Sequence, residues 1–144
     1  MPVLFLRTDA NELWGQFSPD GRWIAYQSNE TGRYEIYVRP FPARGGSRLI
    51  SSSGGVYPRW SRDGKELYFI APDAKMMAVS IRNTAATLEA GTPAALFQTD
   101  RWGGGMNVIG RSHQYDVTRD GRFLINVNVE SGAAPITLLM NWKP

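Results

Sequence analysis

Phe17-Ser18-Pro19-Asp20-Gly21-Arg22, Trp60-Ser61-Arg62-Asp63-Gly64-Lys65 and Val117-Thr118-Arg119-Asp120-Gly121-Arg122 are three copies of one phrase. Each reads apolar residue, hydroxyl residue, spacer, Asp-Gly, base, and each leads into an apolar run. The glycines lie 43 and 57 residues apart, the spacing of supersecondary units in an array rather than of one compact motif. Between two strands the phrase suits a type I turn closed by a left-handed residue. Glycine carries no Cβ penalty there, and the Asp carboxylate accepts nearby backbone N–H groups. Asp20, Gly21, Asp63, Gly64, Asp120 and Gly121 are therefore read as structural turn residues. A calcium loop would need several oxygen ligands in one segment, and each phrase holds one acid.

Outward from the phrases, the chain reads as strands. Arg22 to Ser28 is β-prone, Asn29-Glu30-Thr31-Gly32-Arg33 is a turn, and Tyr34 to Phe41 alternates Glu, Tyr and Arg with Ile and Val, the period of a strand. Pro40 and Pro42 end it, because proline cannot continue a ladder. Arg48 to Ser51 is a short fourth strand. The second unit repeats the plan with Val56 to Trp60, Glu66 to Ala71, Met76 to Ile81 and Ala95 to Gln98. The third has Tyr115 to Val117, Phe123 to Val129 and Pro135 to Trp142, one strand fewer. No helical period of useful length appears; the nearest candidate, Thr84 to Ala90, is cut by Gly91 and Pro93.

Composition agrees with a folded β protein. Among 144 residues, 42% are hydrophobic and 20% charged, which argues against disorder, and 15 Gly with 9 Pro punctuate the apolar runs. The absence of cysteine excludes disulfides and thiolate metal sites. The formal charge of +3 is spread among turns rather than gathered into a nucleic-acid footprint, so no nucleic-acid partner is expected. No apolar stretch approaches the roughly 20 residues of a membrane span, and Met1 to Arg7 is too short for a signal peptide.

The segments Phe17 to Tyr26, Pro58 to Tyr68 and Tyr115 to Leu124 resemble TolB-type, WD40-like β-propeller repeats. Gly32 to Pro42 and the ending Ile136 to Trp142 are also similar to the carboxy-terminal propellers of some bacterial serine/threonine kinases. The resemblance implies an all-β β-propeller with three four-stranded blades per chain, at residues 12–51, 56–98 and 113–142. Three blades leave apolar faces in water, whereas propellers have four to eight. The expectation is a homodimer of six blades closed by strand exchange, the strand at 3–7 completing the third blade of a neighbouring copy. A piece of a longer six- or seven-bladed chain is the rival. The compartment stays open between bacterial cytoplasm and periplasm or exterior.

The resemblance also implies a binding platform or gate rather than an enzyme. Gly-x-Ser-x-Gly is absent, Gly103-Gly104-Gly105 lacks the Lys-Ser/Thr of a phosphate loop, and His113 is the only histidine, so no metal or cofactor is expected. Alignment of Ser18, Ser61 and Thr118 groups Trp14, Tyr57 and Gln114 in one ring at the channel mouth, and Gln16, Arg59 and Asp116 in another. Those six and His113 are the candidate ligand residues. Either a peptide or sugar stacks on Trp14 and Tyr57 and pairs with Arg59, or Arg59 and Asp116 pair between blades. Trp102 and Met106, flanking three glycines, form a second candidate as a loop with apolar tips. Two functional classes follow: a protein- or ligand-binding scaffold such as the sensor of a signalling protein, or the substrate-gating propeller of a prolyl-oligopeptidase-like peptidase. A fragment whose only property is self-assembly is a third.

Overall fold

The structure, a computed structural model, describes residues 4–42, 45–84, 87–99, 114–126 and the backbone of 137–139. Every regular element among them is a strand, and all pairing is antiparallel. The first sheet runs in chain order through β1 (Glu12–Phe17), β2 (Trp23–Ser28), β3 (Glu35–Pro40) and β4 (Arg48–Leu49). The middle sheet holds β5 (Val56–Trp60), β6 (Glu66–Ile70), β7 (Lys75–Asn83), β8 (Leu88–Ala90) and β9 (Ala94–Gln98). β10 (Tyr115–Val117), β11 (Phe123–Ile125) and β12 (Thr137–Leu139) form the third.

All three phrases make the same turn. Gly21, Gly64 and Gly121 have φ of 69°, 71° and 79°, and their N–H groups donate to the carbonyls of Ser18, Ser61 and Thr118 at 2.9, 3.0 and 3.1 Å. Within each turn the hydroxyl donates to the carboxylate: Ser18 to Asp20 at 2.6 Å, Ser61 to Asp63 at 2.7 Å and Thr118 to Asp120 at 2.5 Å. The hydroxyl oxygen also accepts a backbone N–H from the next strand, of Trp23, Glu66 and Arg122 in turn. One short side chain thereby closes the loop on both sides.

The third hairpin is one residue tighter. Ser18 N–H reaches the Trp23 carbonyl and Ser61 N–H that of Glu66, five residues on, but Thr118 N–H reaches Arg122, four on. Phe17 accordingly pairs Ile24 and Trp60 pairs Leu67, whereas Val117 pairs Phe123. A slip of one residue exchanges the faces of a strand. Phe123 and Ile125 consequently face the middle sheet and Leu124 is 40% exposed.

The middle sheet is covered on both faces, and strict alternation does it. Leu67 and Phe69 of β6, with Val79 and Ile81 of β7, pack on Ala25, Ile36, Val38 and Ile50 of the first sheet. Tyr68 and Ile70, with Met76 and Ala78, pack on Tyr115, Phe123 and Ile125 of the third. The three sheets lie face against face in chain order.

One expectation is corrected here. The middle sheet has five strands rather than four, because the nine-residue β7 is long enough for β9 to cover one half of its edge and β8 the other. β8 falls in the stretch that came nearest to a helix; Leu88 is buried against the first sheet and draws the segment into the ladder. Among the described residues, Leu4 to Arg7 pairs with no strand within a single chain. Phe5 instead lies 5.7 Å from the Phe41 ring with the Arg39 guanidinium 5.5 Å above it, on the outer side of the first sheet. The third sheet shows three strands among the described residues.

Glu35 ties the first sheet to the crossover that follows. Its buried carboxylate accepts the Ser51 hydroxyl, the Gly54 N–H at 2.9 Å and Arg33 Nε at 2.6 Å. Ser51 Oγ in turn accepts Ile36 N–H at 2.8 Å. The crossover needs two glycines for different reasons. Gly54 has φ of 101°, and a Cβ on Gly55 would come within 2.8 Å of both Ile36 and Phe69.

Candidate functional site

The first strands of the three sheets converge. Trp14 and Tyr57 occupy equivalent places in β1 and β5, each at an interruption of pairing, between Leu13 and Gln16 and between Val56 and Arg59. Both have left-handed backbone, φ 59° and 57°, unusual for bulky residues and the cause of the bulge that turns their rings together. The ring centroids are 5.6 Å apart with planes inclined at 57°. Tyr57 is held firmly: its N–H donates to Gln27 Oε1 at 2.9 Å and its carbonyl accepts the Tyr115 hydroxyl at 2.8 Å.

Two residues further along, Arg59 spans all three sheets. Its Nη1 donates to Gln16 Oε1 at 3.4 Å and lies 3.7 Å from Asp116 Oδ1. Both contacts are long, and the Asp116 side chain is 67% exposed against 23% for Arg59, so the pair is weakly held and solvent-screened. Trp60 fixes the neighbouring backbone by donating from Nε1 to the Gln16 carbonyl at 3.1 Å. The residues brought together are thus an aromatic pair and, beside it, a guanidinium between an amide and a carboxylate. Gln114 precedes β10, where its carbonyl accepts Asn126 N–H at 2.9 Å.

Burial, then the Arg59 charge that opposes it, govern the Tyr115 hydroxyl, whose pKa is pushed well above the ordinary tyrosine value. Tyr68 moves the same way through burial and through its hydroxyl bond to Glu66 at 2.5 Å. Neither phenol is poised as a base near neutrality. Among the described residues no group of three or more His, Asp or Glu is placed to hold a metal ion. No helix among them is long and apolar enough to cross a membrane. His113, Trp102 and Met106 lie outside the described residues.

Sequence reading missed Glu35 and Gln27, both fully buried polar anchors of this region. The Ser51-to-Gly55 run, rich in small residues, is the one signal of a tight, hydrogen-bonded crossover next to Glu35.

No family model matches the chain. It is 29% identical over 93 residues to an uncharacterized protein of Agrobacterium fabrum, a match covering 61% of this chain and 31% of that relative. The chain spans about a third of the length of the curated relative it matches.

Proposed function

We propose that the three sheets are blades of a TolB-type β-propeller, that a second copy completes the ring, and that the assembly is a non-catalytic binding platform. Its ligand mouth is the Trp14, Tyr57 and Arg59 cluster, and the ligand is a peptide or small molecule that stacks on the half-buried Trp14, which Tyr57, 2% exposed, backs from the core, and offers an acceptor to the guanidinium. The convergence of β1, β5 and β10 on Arg59 carries this reading, because inner strands of consecutive blades meet in this way around a channel.

The case for a second copy rests on Phe17. It stands at the repeat position of Trp60 and Val117, both of which pack against a preceding sheet. Among the described residues no sheet precedes Phe17, which is 57% exposed and touches Phe41 edge-on at 5.0 Å. In this reading a third sheet from another copy covers that face, with the strand at 3–7 exchanged between copies.

Sedimentation equilibrium tests the assembly: the expected mass is twice 16.1 kDa. A folded species at 16.1 kDa across micromolar concentrations refutes the two-copy ring. Selection of peptides on the purified protein tests the platform. Arg59→Ala is expected to keep the fold and lose the selected peptides; undiminished capture by this variant refutes the mouth.

A further inference from the structure

We propose that the gap between the middle and third sheets, at the end carrying the Asp-Gly turns, binds a small organic carboxylate with an apolar body. This site lies at the other end of β5 and β10 from Tyr57 and Gln114, within one chain, and is independent of how copies assemble.

The two inter-sheet gaps are built from the same repeat but are filled differently. In the first, the Trp60 indole packs into the core and Pro19 reaches over the next turn, its Cδ 3.5 Å from where a Cβ on Gly64 would stand. In the second, the residue equivalent to Trp60 is Val117 and the one equivalent to Pro19 is Arg62. Both fillers are gone, and a cleft of about 360 Å³ opens, lined by Val117, Tyr68, Arg62 and Arg119 together with Asp63 and Glu66. That is large enough for a small ligand.

The formal charges of the lining cancel, Arg62 and Arg119 against Asp63 and Glu66, but among the described residues the acids are engaged by neighbouring donors and the guanidiniums are not. Glu66 already accepts the Tyr68 hydroxyl, and Asp63 accepts the Ser61 hydroxyl at 2.7 Å and the Lys65 N–H at 3.0 Å. The Lys65 N–H first and then the Ser61 hydroxyl hold the Asp63 pKa below its ordinary value against a smaller opposing effect of burial, so this acid stays ionised and fixed in its turn. Arg62 and Arg119 make no ion pair or hydrogen bond among the described residues. Two uncommitted guanidiniums lining one cleft with an aromatic and an aliphatic side chain match a planar carboxylate carried on an apolar group.

Phenylacetate and its neutral counterpart phenylacetamide are the probes, followed through amide and methyl NMR shifts of the full chain. Phenylacetate is expected to shift Val117 and its neighbours, and phenylacetamide to bind about tenfold more weakly. Val117→Trp, which copies the filler of the first gap, is expected to abolish binding, and Arg62→Ala with Arg119→Ala to weaken it about tenfold. The double arginine variant keeps the test alive if Val117→Trp does not fold. Arg59→Ala is expected to leave phenylacetate binding unchanged, which separates this site from the mouth. No shift at millimolar phenylacetate, equal binding of the two probes, or full binding by the arginine variant overturns the proposal.

Discussion

Replacing Glu35 with Ala removes the acceptor on which the first crossover depends. The Ser51 hydroxyl and the Gly54 N–H both point at its carboxylate, and both residues are buried, so neither reaches water when the carboxylate goes. An orphaned buried donor costs about 1–3 kcal/mol, which makes the expected loss about 2–6 kcal/mol for the two. The Arg33 contact adds little, because that side chain is 60% exposed and an exposed pair is worth about 0–1 kcal/mol. The variants should therefore rank Glu35→Ala, then Glu35→Gln, which keeps one acceptor oxygen, then Arg33→Ala. Urea unfolding at fixed protein concentration measures all three, with an unchanged slope showing that only stability moved. A loss under about 1 kcal/mol for Glu35→Ala would refute the accounting of these two donors.

Phe69→Ala, at 1% exposure between the first and middle sheets, should cost about 3–5 kcal/mol in the same assay. Phe17→Glu should leave single-chain secondary structure intact by circular dichroism and shift the sedimentation mass towards 16.1 kDa, since it places a charge on the face assigned to the second copy. The three turn carboxylates give a pH signature. Asp63 is lowered by the Lys65 N–H and Ser61, and Asp120 by Thr118 and then Arg122. Asp20 is lowered although burial opposes it, because Asn83 and Ser18 donate to it. Folded values below the ordinary 3.8 mean stability that is present at neutral pH and lost as pH falls through them. Melting temperature should stay level from neutrality to about pH 5 and drop below about pH 4, and Asp63→Asn should flatten the drop.

The turns were the most legible part of the fold, because the phrase states its own chemistry: a hydroxyl, an acid and a glycine each have one geometric task. Strand limits such as Val56–Trp60 and Tyr115–Val117 also followed from their place just before the repeated phrase. Three features did not. β3 reads as a strand with a polar face, yet Glu35 and Tyr37 on that face are 3% and 4% exposed, since the crossover folds over one and Tyr26 stacks on the other at 5.8 Å. The tighter third hairpin is invisible in a phrase that matches the other two residue for residue; only the packing of Phe123 against Tyr68 at 5.0 Å decides it. β8 hides in a stretch rich in Ala and Thr, where one buried leucine fixes its place. At the site, aligning the phrases located Arg59 between Gln16 and Asp116, but alignment has no means of revealing the left-handed bends at Trp14 and Tyr57 that aim the rings.

The slab held between two others has an energetic consequence of its own. Within a single copy its amides are shielded from solvent on both broad sides, so under conditions that separate the copies deuterium should enter the outer slabs first and reach β6 and β7 last, through events that open most of the molecule. Such a gradient makes the centre of the chain, rather than either terminus, the portion that survives longest under protease, and so marks the smallest fragment worth trying to isolate.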